Sequence, residues 1–568
     1  MNLNIESQNE GKFILYARVV WSSDQTSHLL LCSIYYNFIV IYSLVTENSE
    51  QTDPMIVLEE ALTLCKFGKF HLRLLFASFC AIMAAISVVT TSSFILPIAE
   101  CDLKMDMMLK GWLNSMPFVG QIGVSLFVGF LVDTFGRRIF LITGNLGIFI
   151  TALLEGTSQT YWMLVIVKML QGIAMSITYA AISTMLSELI QKELRDRILL
   201  IFGGFTSISI IVLSLMSWAI LPQTQLNISL WNGYFEIHSW NIYLYVCSIW
   251  SFIAFIMYYT LPESPKFLLS DGHNEKALDV LKYIYHENTG KPIDTFPIKH
   301  LKCGIPNKLD RDKKFNFKKQ IVNSLFEVKH LVDKVVVYRL ILMCGMTFVY
   351  LSTYTCLRLW YPQISTTVEH YYNDHGYSSR FCEMINYRNN QSISNADVTH
   401  PDICEPQVSG SETYMNSMLL GLTGLVFVGV ASVLVHWVGH RLLIFVVQLL
   451  CAACASSLYY TNSSTQIAFL ISFICAFMQA NGSLQSNILV RIFPTKLRAL
   501  TFSIVMIVGR LGSLLGNILF PILLEMGCMA PFLTLSVASL LHTIHGTFWY
   551  ATPETARFSG TKTFKVFL

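Results

Sequence analysis

What this chain has least of is charge. Asp, Glu, Lys and Arg make up 13% of its 568 residues, about half the roughly 25% found in soluble domains. With 53% hydrophobic residues and a mean hydropathy of +0.52, a soluble protein is excluded. The net charge of +3 is too small to imply nucleic acid. No glycine-rich Walker loop and no nucleophile–base spacing occurs, so an ATP-driven pump and catalysis are both unsupported. The 14 cysteines are scattered, many inside apolar runs. Cys451 and Cys454 form one C-x-x-C in a charge-free stretch with no second pair, which argues against zinc or redox chemistry. No cofactor or metal is expected.

What the chain has in abundance is long apolar runs. Leu74–Ala99 carries no charge and is long enough to cross the roughly 30 Å hydrocarbon core of a bilayer. Gly111–Val132, Ile139–Leu154, Tyr161–Ser187, Ile198–Leu221 and Trp240–Leu261 follow. After a polar, lysine-rich segment come Leu340–Leu357 and Thr413–Val435. Leu442–Val490 is then broken into two by Thr461–Gln466, and Ala499–Leu524 and Cys528–Tyr550 complete twelve segments. The reading is an all-α integral membrane protein of twelve transmembrane helices in two six-helix halves. Its expected divisions are an N-terminal extension at 1–54, a first half at 55–261, a cytosolic central loop at 262–336 and a second half at 337–553 with a polar outer loop at 360–412. A cytosolic tail at 554–568 ends the chain. Leu29–Val45 is apolar for only 17 residues, at the lower limit for spanning, so residues 1–54 read as a disordered or interfacial extension.

The two halves repeat. Gly439-His-Arg441 answers Gly136-Arg-Arg138, and Leu497-Arg498 answers Leu194-Arg195, both at an offset of 303 residues (439 less 136, 497 less 194). Pro262-Glu263-Ser264-Pro265 closes the sixth segment as Pro553-Glu554-Thr555 closes the twelfth. Sidedness follows from the loops. Arg137, Arg138, Lys192, Arg195, Arg197, Arg441, Lys496 and Arg498 all fall on one side, marking it as cytosolic. The sequons at Asn227, Asn390 and Asn462 fall on the other, while that at Asn481 lies inside the tenth segment and is silent. Both termini are then cytosolic. Cys382 and Cys404 share the outer loop, where oxidation is allowed, and are read as a candidate disulfide.

Gly129-Phe-Leu-Val-Asp133-Thr-Phe-Gly136-Arg137-Arg138, between the second and third segments, resembles the G-x-L-x-D-x-x-G-R-R signature of the major facilitator superfamily. Pro262–Lys266 and the Glu188 to Arg195 spacing resemble its sugar-porter branch. Phe493–Ala499 and Val508–Gly512, with the long outer loop, look more like the synaptic vesicle glycoprotein and its related transporter-like proteins. The resemblance covers about Glu59 to Thr555. It implies alternating access: two halves rock about a central site, with Gly129, Asp133, Gly136, Arg137, Arg138, Glu188, Arg195, Glu263, Arg441 and Arg498 acting as a conformational latch. The arginines alone are also explained as topology markers. His436 and Arg491 stand where Asp133 and Glu188 would repeat, so the second-half network is weaker or differently paired.

Charge inside the membrane is costly and therefore informative. Arg510 lies about 17 Å into the eleventh segment at the usual helical rise. It is read as facing the cavity, either toward an anionic solute group or toward backbone carbonyls, with a structural role equally open. Lys168 is also read as a cavity residue, although it lies about 10 Å from the outer end, where snorkelling is a plain alternative. Gln479, Asn481 and Gln485 of the tenth segment, Tyr350 and Tyr354 of the seventh, and Asn114 and Gln121 of the second suit a cavity for a polar solute. Interhelical hydrogen bonding explains any one of them equally well. No carboxylate lies within segments 1, 2, 4, 5, 7, 8 or 10, and His542 and His545 sit in the peripheral twelfth, so proton coupling is unsupported. The expectation is a monomeric secondary transporter of a small polar or anionic organic solute in a vesicle or plasma membrane. The alternative is a non-transporting facilitator-fold glycoprotein whose outer loop meets protein partners.

Overall fold

The structure, a computed structural model, describes residues 54–223, 225–230, 235–301, 334–386, 408–493 and 498–550. The expected N-terminal extension with Leu29–Val45, the sequon at Asn390, Cys404 and the tail lie outside them. So do the side chains of Asp133, His436, Arg441, Arg491, Arg498, His542 and His545. The chain divides into Met1–Val57, of which only the first residues of helix α1 are described, and Leu58–Leu568.

Helix α1 (Pro54–Leu64) precedes six long helices: α2 (Lys69–Ile95), α3 (Met107–Phe135), α4 (Arg137–Gly156), α5 (Tyr161–Leu189), α6 (Lys192–Ile220) and α7 (Ser239–Thr260). A two-stranded hairpin, β1 (Ile228–Leu230) and β2 (Phe235–Ile237), joins α6 to α7, with Ile228 opposite Ile237. Two short helices, α8 (Pro265–Ser270) and α9 (Asn274–Thr289), follow. The second six are α10 (Lys334–His375), α11 (Ser411–Val438), α12 (His440–Ser457), α13 (Ser464–Ile492), α14 (Arg498–Met526) and α15 (Met529–Tyr550). Among the described residues ten helices are long and apolar enough to cross a membrane. With α3, 29 residues long, and α15, apolar over Met529–Leu541, they fill the twelve expected places.

The repeat read from the loops is carried by the helix ends themselves. Tyr161 and Ser464 begin α5 and α13, and Leu189 and Ile492 end them, each pair 303 residues apart (464 less 161, 492 less 189). Between α3 and α4, and again between α11 and α12, one residue makes the whole turn. Gly136 has φ +97° and Gly439 φ +82°, a region that side chains with a Cβ rarely adopt. Packing repeats as well. Helices α3, α4 and α7 pack on α5, α5 and α4 as α11, α12 and α15 pack on α13, α13 and α12. The halves meet through α3 on α14 and α6 on α11, contacts that a two-fold relation exchanges. Small residues permit the close approaches that lipid-embedded helices need: a Cβ at Gly120 or Gly172 would run into the backbone of Met169 or Pro117.

Two sequence expectations are corrected. Helix α10 does not stop at Leu357 but continues to His375, 42 residues in all, so the outer segment 360–412 begins as helix. Its extension is polar yet buried: Gln363, Ser365, Thr366 and Glu369 are all under 10% exposed. The Glu369 carboxylate accepts from the Gly410 and Glu412 amides at 3.0 and 3.2 Å, satisfying the orphan donors at the start of α11. A hydropathy reading ends where polarity begins, whereas the helix persists because protein rather than water covers it. The second correction is the disulfide. Cys382 is bonded to Cys528, across a Cα–Cα distance of 5.4 Å, and not to Cys404; it ties the segment after α10 to the α14–α15 turn. Cys101 is disulfide-bonded too. Sequence proximity had favoured the pair within one loop, but the fold brings a cysteine 146 residues away into bonding distance.

Candidate functional site

At the glycine-turn end of the bundle, Glu263 sits directly beneath Gly136. Its carboxylate accepts from the Arg137 and Arg138 amides, both at 3.1 Å, and from its neighbour Ser264 at 2.9 Å. It thereby caps the first turn of α4, where the helix dipole favours a negative charge. A Cβ at Gly136 would collide with that carboxylate. The Arg137 guanidinium pairs with Glu188 at 3.2 Å and lies over the Phe267 ring at 5.1 Å. Arg138 donates to the Tyr259 carbonyl at 2.7 Å. Arg195 turns away from Glu188 and pairs with Glu59 of α1 at 2.8 Å. Of the first-half residues expected to form the latch, Gly136, Arg137, Arg138, Glu188 and Glu263 are thus gathered, while Arg195 pairs with Glu59, which the motif did not mark. Asp133 lies on the last turn of α3, and Gly129 one turn before it faces open space.

Lys168 does not snorkel. It is fully buried, and its ammonium pairs with Glu155 at 2.8 Å and donates to the Val88 carbonyl and Thr91 hydroxyl, both at 2.9 Å. Glu155 in turn accepts from Gln171 at 2.6 Å. This carboxylate belongs to the last turn of α4 and is 2% exposed. Its place at the end of a short apolar segment had suggested a boundary residue. A cavity of about 10 Å³, the room of one water, adjoins the pair beside Ser87, Thr91, Ser248 and Ser251.

In the middle of the bundle, Arg510 of α14 reaches across to the first half. Its guanidinium donates to Ser125 of α3 and to Ser176 of α5, the latter at 3.3 Å. Its partners are hydroxyls, not the backbone carbonyls that had been one expectation. Gln479 of α13 also crosses, donating to Ser207 of α6 at 2.9 Å. Gln121 instead stays within its half, against the Met175 sulfur at 3.3 Å. Tyr350 and Tyr354 stack with ring centroids 6.0 Å apart. A Cβ at Gly482 would meet the Tyr350 ring, so α13 lies against it, next to the fully buried Asn481. The amide groups of Asn114 and Asn481 and the Tyr354 hydroxyl have no hydrogen-bond partner among the described residues. Gln485 lies one turn from Asn481 and is 3% exposed. Buried polar groups left unpaired are costly.

Among the described residues, contacts between the halves continue from the middle of the bundle toward the disulfide end. There Lys110 of α3, fully buried, pairs with Glu100 at 2.8 Å and donates to Gln363 of α10 at 3.2 Å. Ser115 donates to the Leu514 carbonyl at 3.2 Å, and Gly111 lies against Asn517 and Pro521. Val89, Phe118 and Leu359, joined by Met175 and Leu514, form an apolar plug from both halves. Asn227 and Asn462 are exposed at that same end. An open depression of about 450 Å³ lies between the ends of α12 and α13, beside Tyr460 and Phe469.

A family model for the Major Facilitator Superfamily matches residues 74–490. This chain belongs to the major facilitator superfamily. It is a multi-pass integral membrane protein. It is 30% identical over 251 residues to synaptic vesicle glycoprotein 2C of Mus musculus, covering 43% of this chain and 34% of that one. To synaptic vesicle glycoprotein 2B of Rattus norvegicus it is 26% identical over 335 residues, covering 56% and 48%. The chain therefore matches between a third and a half of the length of these relatives. Among solved structures, the partially occluded inward-open xylose transporter XylE from E. coli superposes with a TM-score of 0.56 at 13% identity, covering 85% of this chain and 100% of that one. A D-xylose-proton symporter gives 0.57 at 13% identity, covering 87% and 100%. At that identity the likeness speaks for the fold.

Proposed function

We propose that the protein is a secondary transporter moving a small polar or anionic organic solute by alternating access. The observation that carries this reading is the distribution of contacts between the two pseudo-symmetric halves. They are bridged by Arg510 and Gln479 at the middle and by Lys110, Ser115 and the apolar plug at the disulfide end. In an alternating-access reading these bridges close the disulfide-end side of a central polar site. In this reading the disulfide end, with Asn227, Asn390 and Asn462, faces the lumen or exterior. The basic turns and both termini are cytosolic, in a vesicle or plasma membrane. Gly129, Asp133, Gly136, Arg137, Arg138, Glu188, Arg195, Glu263, Arg441 and Arg498 act as the cytosolic latch of a monomer. Lys168 serves the first half from within, as the buried partner of Glu155.

A second reading rests on His436 and Arg491, which replace the carboxylates that the repeat would put there. It makes the chain a facilitator-fold glycoprotein that no longer transports and meets protein partners through segment 360–412. Uptake of labelled sugars, organic anions, organic cations and nucleotides into vesicles separates the two. Saturable uptake of one class, abolished in Asp133→Asn, is the expected result. Absence of uptake by folded, glycosylated protein favours the second reading.

A further inference from the structure

The seventh segment, read to end at Leu357, left out Arg358, the most informative cation in the second half. It lies on α10, one helical turn beyond Tyr354 and two beyond Tyr350, and therefore on their face. It is 8% exposed. No carboxylate pairs with it among the described residues, and its Nε has no hydrogen-bond partner. Its described contact is the Tyr354 ring, with Cζ 5.5 Å from the centroid. A guanidinium held within a membrane bundle without a counter-ion is expensive, and such residues pair with something. The other buried cations of this chain do so: Lys110 with Glu100 and Lys168 with Glu155. Arg510 is already engaged by Ser125 and Ser176.

From this geometry we infer that Arg358 is the anion-recognising residue of the central site and that the solute is a small organic carboxylate. This rests on the transporter reading and names its substrate class. A ring on one face of the guanidinium leaves its planar edge of N–H donors, which matches a carboxylate bidentately. Arg358 offers one such edge, while the Arg510 donors are taken by Ser125 and Ser176, so one carboxylate is matched rather than two. The stacked Tyr350 and Tyr354 rings supply an apolar wall for the organic body. The unpartnered Tyr354 hydroxyl and the Asn481 amide, buried beside the Tyr350 seat, supply the polar contacts. The unpaired atoms and the unpaired charge thus sit together, and a carboxylate-bearing solute satisfies both.

The test is equilibrium binding of radiolabelled lactate, benzoate and succinate to the full-length protein in lipid nanodiscs, with lactamide and benzamide as uncharged competitors. Saturable binding of a monocarboxylate is expected, displaced by its unlabelled form and not by the amide. Arg358→Gln is expected to weaken it at least tenfold, and Arg358→Lys, which keeps the charge and loses the fork, less. Should Arg358→Gln not fold, Tyr354→Phe, expected to weaken binding severalfold, carries the same test. Succinate binding more tightly than lactate or benzoate overturns the monoanion, and carboxylate binding unchanged in these variants overturns the assignment. Absence of carboxylate binding beside active uptake of an uncharged solute overturns it while leaving transport intact. Arg358-dependent binding without uptake supports the site and instead removes the transporter reading.

Discussion

Replacing Glu155 by Leu will cost this protein more than replacing Glu155 and Lys168 together. Both side chains are essentially without exposure, and their charged atoms are 2.8 Å apart. In Glu155→Leu the ammonium keeps only the Val88 carbonyl and the Thr91 hydroxyl, two neutral acceptors for a full charge. In Lys168→Met the carboxylate keeps only the Gln171 amide. Leaving one member of a buried pair uncompensated costs about 3–5 kcal/mol, whereas exchanging the whole pair for apolar groups of similar volume is often neutral or better. The adjoining cavity admits one water, too little to rehydrate a bare charge. The assay is the unfolding midpoint of purified full-length protein for the wild type, the two single variants and Glu155→Leu with Lys168→Met. Both singles are expected well below the wild type, and the double at or above the better single. Singles indistinguishable from the wild type, or a double as low as the two losses added, would refute the argument.

Three further outcomes follow from local geometry. Gly136→Ala forces a Cβ into a positive-φ turn and against Glu263, whereas at Gly439 the same φ strain meets open space; with strain of about 1–3 kcal/mol at each turn, the first variant should unfold at the lower temperature. Mass-tagging of thiols in the non-reduced protein should show Cys382→Ser freeing Cys528, and Cys528→Ser freeing Cys382, with no effect of Cys404→Ser on either. Burial pushes the Cys65 thiol up to about 12, so its reactive thiolate is scarce until pH approaches that value. Maleimide labelling of the folded chain at Cys65 should stay slow through neutral and mildly alkaline pH and become fast on denaturation.

Much of the fold was legible because it is written twice. A membrane helix must be long, apolar and free of charge, and a one-residue turn between two of them needs glycine. Gly136 and Gly439 therefore fixed two loops and the repeat at once, and the helix ends keep the same spacing. What stayed hidden lay where protein replaces lipid or water. Glu369 read as part of a polar loop and Arg358 fell outside the seventh segment, because hydropathy does not distinguish a residue facing water from one buried by protein. Glu155 looked like a boundary and Lys168 like a cavity or snorkelling cation, since each is explained only by the other. Of the charged cluster at the glycine turn, the meeting of Arg137, Glu188 and Glu263 was legible from the motif, while the pairing of Arg195 with Glu59 was not, since no motif includes α1. Cysteine connectivity was not legible at all, as spacing does not fix it.

The central claim is a carrier that exposes one site alternately to two sides, and exchange tests it most directly. Vesicles holding the protein are preloaded with an unlabelled solute found to be taken up, and entry of the labelled solute is timed against empty vesicles. Alternating access predicts faster entry into preloaded vesicles, because the loaded site returns across the membrane with its cargo, and loss of that acceleration in Asp133→Asn. Entry that is unaffected by preloading, or no entry at all into vesicles bearing folded protein, would contradict it.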